Sequence, residues 1–303
     1  MPTTPSLPVF RGAFTALTPL FRHDAVDEPA LRRLVDIQIE SGIHGLVPCG
    51  TTGESVTMTD DDQDRVIGIV IDQTAGRVPV IVGTGTINTR TAIDRTRRAR
   101  LAGADAALVV VPYYNKPSQE GLHRHYESIA SAADLPILLY NVPGRTGVNM
   151  TSETIPRRSA VTNPAGLKEA SSNLDQVSEI VIAAWPDFAV LSGGNSLTLP
   201  IMSVGGHGVM SVVSNIAPTP VAELAAACLR GDIEEARPIH ARLFDLCRAM
   251  FIESNPTAVK TSANLLGLCA DDVRLPLTAV SDGSRRRIVH ALQVSGLIEA
   301  TAA

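Results

Sequence analysis

The chain has 303 residues, 45% of them hydrophobic and 19% charged, with a formal net charge of -5. That length buries a substantial core, as one large domain or as a barrel with an appendage, and the absence of a basic field argues against a grip on nucleic acid. The opening MPTTPSLPVFRG has no basic segment followed by an apolar run, and no apolar stretch is long enough to span a bilayer, so the expectation is no membrane partner and a cytoplasmic location.

Residues 12–19 (GAFTALTP) read as the first strand. Asp27 then caps a helix with Pro29 in its first turn and Leu31, Leu34, Val35 and Ile39 at helical spacing before Gly42. Strand two is GLVPCG (45–50), and the run Thr59-Asp60-Asp61-Asp62 resembles a capping box ahead of Val66, Ile67 and Val70. VPVIVGTG (78–85) is followed by a helix opening at Asn88 or Thr89 and ending near Gly103, and AALVVVPYY (106–114) by one opening at Ser118 and ending before Pro136. The remaining strands are PILLYNVP (136–143), AGLKEAS (165–171), FAVLSGG (188–194) and GVMSVVSN (208–215).

Near-continuous apolar runs are what strands buried on both faces require. Eight β-then-α units predict an α/β protein of the (β/α)8 TIM barrel type. After Asn215 the strand signal stops, and 218–230, 233–250, 256–266 and 284–296 read as helix. The expected organisation is a catalytic barrel over 1–231 and a C-terminal helical extension over 232–303.

Catalytic groups of such barrels project from the C-terminal ends of the strands. Those ends are rich here: Gly50-Thr51-Thr52-Gly53-Glu54, Tyr113-Tyr114-Asn115, Tyr140-Asn141, Lys168, Ser192-Gly193-Gly194 and Ser211. Three of the four tyrosines lie there, which suits a pocket that moves protons.

The basic residues number 26, of which only three are lysine. Arginine cannot lose its proton to become an amine nucleophile, whereas lysine can, so each lysine needs an explanation. Lys168 interrupts an apolar strand between Gly166 and Ala170, which are expected to leave open space around its ammonium. The alternative is an edge-strand lysine reaching solvent, but a closed barrel has no edge. An amine held away from water favours the neutral form that attacks a ketone.

Tyr140 ends the preceding strand, which makes its phenol the leading proton carrier beside Lys168. Thr51 and Thr52 between glycines offer hydroxyls and backbone N–H groups as a carboxylate cradle, or make a simple βα turn. Tyr113 and Tyr114 point oppositely if the strand is still extended, so one of them can face another subunit. Arg145 on the rim suits a second carboxylate, against the alternative of a plain surface arginine.

Glu54 and Asn195 are candidates for ordering water near the pocket. Cys49 reads as a small buried residue, His207 as a turn residue and Lys260 as part of a capped helix. The cysteines and histidines show no ligand spacing, so neither a metal nor another cofactor is expected.

Taken together, GTTGES (50–55), PYYNKPSQEG (112–121), YNVPGRTG (140–147), GLKEAS (166–171), LSGGN (191–195), GGHGVMSV (205–212) and ESNP (253–256) resemble, across nearly the whole chain, the dihydrodipicolinate synthase (4-hydroxy-tetrahydrodipicolinate synthase) family of the N-acetylneuraminate lyase superfamily. The resemblance implies a class I pyruvate-dependent aldolase, a lyase of the diaminopimelate route to lysine. In it, pyruvate forms a Schiff base on Lys168 and then attacks L-aspartate 4-semialdehyde.

It further implies Tyr140, Thr51 and Tyr114 as a proton relay, with Tyr114 supplied by the adjacent subunit of a homotetramer. Thr51 and Thr52 would bind the pyruvate carboxylate and Arg145 that of the semialdehyde, while Gly193 and Met210 would line the site through backbone groups. Two departures stand out: LSGGN replaces an acidic LSGDD, and Asp60, Gln63, Ile87 and Thr91 stand where lysine-inhibited members carry His, His, Asn and Glu. The second departure predicts weak or absent feedback by lysine. The competing expectations are a pyruvate aldolase acting on 2-keto-3-deoxy sugar acids or N-acetylneuraminate, and a silent barrel that only binds a keto acid.

Overall fold

The computed structural model describes residues 10–155 and 164–299. The outer limits expected for the two domains, residues 1 and 303, lie outside them. Eight parallel strands form the barrel: β1 (Gly12–Ala16), β2 (Gly45–Val47), β3 (Ile81–Gly83), β4 (Ala106–Val110), β5 (Ile137–Asn141), β6 (Pro164–Glu169), β7 (Ala189–Ser192) and β8 (Gly208–Ser211). β8 pairs with β1, and the ring closes between β2 and β3 through the parallel bridge Leu46–Val80 and the bond from Gly83 N to Pro48 O.

Helices α1 (Glu28–Glu40), α2 (Asp60–Thr74), α3 (Thr89–Ala102) and α4 (Gln119–Ala133) follow the first four strands, and α5 (Pro143–Thr146), α6 (Leu174–Ala183), α7 (Thr198–Ser203) and α8 (Pro218–Leu229) the last four. Their starts are set by side chains that satisfy otherwise orphaned N–H groups. Asp27 accepts from Ala30 N, Thr59 and Asp62 make the reciprocal capping box, and Asn88 and Ser118 cap α3 and α4. Each such cap contributes about 1 kcal/mol. A hairpin pairing Phe21–Arg22 with Ala25–Val26 lay too short in sequence to be foreseen.

Alternation along the strands sorts the core into two layers. Phe14, Leu138, Leu191 and Met210 fill the inside of the ring, while Ala13, Leu139, Val190 and Val209 face the helices. Beyond the barrel, α9 (Ile233–Ala249), α10 (Thr257–Leu265) and α11 (Asp282–Val294) fold back over the C-terminal ends of the strands, and α11 packs on both α9 and α10. Among the described residues no helix is long and apolar enough to cross a membrane.

Candidate active site

Register decides what stands at the barrel mouth. Tyr140 on β5 and Lys168 on β6 are paired Cα to Cα, one step above the pair Leu138 and Gly166 on the inward row. Lys168 Nζ lies 4.4 Å from the centre of the Tyr140 ring, and both side chains are buried. Among the described residues the amine has no hydrogen bond and no ion pair. The face of the Tyr140 ring is held against it.

Gly166 does not provide the open space expected around that amine: a Cβ there would run into the backbone oxygen of Ala189, so the glycine serves the close approach of β6 to β7. A glycine is needed at 193 for the same reason. A Cβ would stand 2.6 Å from that of Ala170, and the Gly193 N–H is already donated to Glu169 O at 2.7 Å.

Lys168 opens onto a cleft of about 840 Å3. Thr51, Thr52, Tyr140, Arg145 and Gly193 line it with Lys168, so six of the eight residues singled out converge on one space. Arg145 comes from α5, a single turn opened by Pro143 directly after β5.

The other two lie elsewhere. Met210 is fully buried in the inner barrel layer, paired with Phe14 across β8 and β1. Tyr114 is 88% exposed and has a left-handed backbone (φ 69°), because β4 has already ended at Val110. Tyr113, half-buried, lines a side pocket of about 200 Å3 that shares Thr51, Tyr140 and Arg145 with the cleft.

The floor is braced from behind. Glu169 points outward from β6 into a polar knot, accepting from Ser171 N at 2.6 Å, Asn141 Nδ2 at 3.0 Å and Gln176 Nε2 at 3.3 Å. Asn195 Nδ2 donates to Ser211 Oγ at 2.6 Å while its Oδ1 accepts from Val212 N at 3.0 Å, which anchors the ends of β7 and β8. Its polar atoms are thus committed to protein. Glu54 does not reach the cleft, because its carboxylate is taken by Lys260.

Cys49 is fully desolvated, and burial pushes its thiol up to about 12, which leaves it inert as a nucleophile. His207 sits in the turn before β8, its Nδ1 accepting from Val190 N. No group of three or more His, Cys, Asp or Glu side chains suited to a metal occurs among the described residues.

Several wall residues were not foreseen. Asn255, just before α10, donates from Nδ2 to Thr52 Oγ1 at 2.9 Å, and Arg248 and Arg287 reach the cleft from α9 and α11. The ESNP motif was the one available signal for Asn255. The arginines had none, since their helices look like ordinary amphipathic surface helices.

A family model described as the dihydrodipicolinate synthetase family matches residues 9–295. The chain is 54% identical over 284 residues to the 4-hydroxy-tetrahydrodipicolinate synthase of Thermomicrobium roseum, covering 94% of each. It is 50% identical over 290 residues to the protein of the same name from Pelobacter propionicus, covering 96% of this chain and 100% of that one. The crystal structure of dihydrodipicolinate synthase from Aquifex aeolicus matches with a TM-score of 0.93 at 43% identity, over 95% of this chain and 99% of that one.

Proposed function

Because this chain belongs to the dihydrodipicolinate synthetase family, we propose that it is a lyase of the 4-hydroxy-tetrahydrodipicolinate synthase type, joining pyruvate to L-aspartate 4-semialdehyde through a Schiff base on Lys168. The observation that carries this is the buried, unpaired amine of Lys168 against Tyr140 at the floor of a cleft.

The Lys168 amine adds to the keto carbon of pyruvate, and loss of water leaves the imine. A proton leaves the methyl carbon to give the enamine, which attacks the aldehyde carbon of the semialdehyde. The amino group of that second substrate then displaces the lysine as the ring closes, and the amine is regenerated. Covalent attachment divides one difficult carbon–carbon bond formation into easier steps.

Tyr140 is placed to carry protons at the Schiff-base atoms, because it is the phenol in contact with Lys168. Thr51 and Thr52 are positioned for the pyruvate carboxylate, with Thr52 oriented by Asn255, and Gly193 lines the same space. Arg145 is free of any carboxylate among the described residues and suits the second substrate's carboxylate, which a sugar acid's polyol would not need.

We assign the chain to a homotetramer in which Tyr114 reaches the adjacent subunit's cleft. The support is an aromatic ring held out in solvent on a left-handed backbone, a conformation uncommon for a residue with a side chain. The four cysteines are free thiols, in keeping with the cytoplasmic location proposed here.

The test is incubation with pyruvate and borohydride followed by mass mapping of the adduct. The adduct is expected on Lys168 and absent from Lys168→Ala; an adduct on another residue would move the site. A panel of aldehydes then identifies the second substrate, and faster turnover with a 2-keto-3-deoxy sugar acid than with the semialdehyde would replace the synthase assignment.

A further inference from the structure

Many arginines on the flanks of the barrel sit against carboxylates, as in the pairs Arg32 with Asp72, Arg98 with Asp64 and Arg274 with Asp62, while Arg33 and Arg90 stand singly without an ion pair among the described residues. At the cleft mouth unpaired arginines are clustered. Among the described residues no carboxylate lies within ion-pair distance of Arg145, Arg248, Arg286 or Arg287, although Arg285 beside them is paired with Asp271. Arg248, Arg286, Arg287 and His290 line a groove of about 490 Å3 between α9 and α11, where Asp245 is the one acidic side chain.

The groove is continuous with the cleft, since Arg248, Arg287 and Ile252 line both. The two carboxylates at the cleft wall are already committed: Glu169 to its amide knot, and Glu253 to the N–H and hydroxyl of Ser281 at 3.0 and 2.9 Å. A path lined by uncompensated guanidinium groups therefore leads from the surface toward Lys168. The rest of the molecule repels what that path attracts, because the whole chain carries a net charge of -5.

We propose that the groove between α9 and α11 is an outer anion site, which captures the carboxylates of incoming substrates and delivers them to the cleft. The ligand class is the small mono- or dicarboxylate, and the inference rests on the function proposed above, whose substrates are carboxylates. A local cationic surface with low-dielectric walls raises the concentration of anions at the mouth, and salt screens that effect.

The experiment times borohydride trapping of subsaturating pyruvate on Lys168 at low salt and at high salt. Wild type is compared with Arg286→Gln, which touches the groove and not the cleft, and with Arg11→Gln, an equal loss of charge just before β1 at the opposite end of the barrel. Wild-type trapping is expected to slow as salt rises. Arg286→Gln should trap about threefold more slowly at low salt and respond less to salt, while Arg11→Gln should follow wild type.

Equal salt responses in wild type and Arg286→Gln, or the same change in Arg11→Gln, would overturn the anion site. Failure of wild type to form any adduct at Lys168 would instead refute the proposed function. The groove is then read from equilibrium binding of pyruvate to Lys168→Ala, where adding Arg286→Gln must weaken affinity for the site to stand.

Discussion

Lys260 Nζ lies 2.6 Å from Glu54 Oε1, and neither side chain has any exposure to solvent. The pair ties the turn that carries Thr51 and Thr52 to helix α10, and the Arg274 N–H donates to the second Glu54 oxygen at 3.2 Å. Burial lowers the pKa of Lys260, opposed by Glu54. A pair so placed holds the cradle turn against the C-terminal helices.

Lys260→Met leaves the Glu54 carboxylate buried without its counter-ion and is expected to cost about 3–5 kcal/mol. Urea unfolding at fixed protein concentration measures it. Adding Glu54→Gln should recover most of the loss, since the residual penalty is then that of a neutral amide. A single-variant loss under about 1 kcal/mol would mean that the pair contributes little to stability.

Tyr140→Phe keeps the ring face against Lys168 and removes only the hydroxyl. The adduct with pyruvate should still form, while kcat falls about 100- to 10,000-fold. Steady-state rates alongside borohydride trapping separate the two effects, and an unchanged kcat would remove Tyr140 from proton transfer.

Tyr114→Phe and Lys168→Ala should each be strongly impaired alone. Unfolded together and reassembled, they should regain activity, because a cleft keeping its own Lys168 can then receive an intact tyrosine from its neighbour. Activity no greater than the sum of the separate proteins would place Tyr114 outside any shared site.

His125 on α4 is buried, with Nδ1 2.9 Å from Thr89 Oγ1 and Nε2 without a partner. Burial pushes its pKa from 6.5 down to about 4. Between those values the unfolded chain takes up a proton that the folded chain refuses, so stability is full above pH 6.5 and falls as pH drops toward 4, by up to about 3 kcal/mol from this group. Unfolding midpoints at several pH values should show a shallower fall in His125→Gln than in wild type. Identical slopes would assign the acid sensitivity to other groups.

Lysine feedback is expected to be weak or absent. Asp60 has one carboxylate oxygen paired with Arg95 at 2.9 Å, and Gln63 is buried with its Nε2 donated to Ser55 O at 2.7 Å, so both are already partly engaged within the subunit. Titration of lysine into a coupled assay checks this, and strong inhibition at submillimolar lysine would reverse it.

The eight strands and their caps were legible in the sequence because both are local. An apolar run flanked by glycine or proline, or a Thr-x-x-Asp before a helix, already contains the groups that will satisfy one another. Lys168 was legible for a related reason: an ammonium inside an apolar strand has no bland explanation once the barrel closes. Where the backbone left the extended state, local inference stopped working. β4 ends at Val110, so strand alternation says nothing about Tyr114.

By itself, then, the sequence determined the barrel, the strand that bears the amine and the tyrosine on the strand beside it, since the strands follow from short-range pattern and their order from the rule that consecutive βα units lie side by side. Only the tertiary structure decided that Asn255 orients Thr52, that Glu54 is spent on Lys260, and that Arg248 and Arg287 overhang the cleft. Those contacts join residues roughly 200 positions apart in the chain, and no local pattern records which distant helix will close over a barrel mouth.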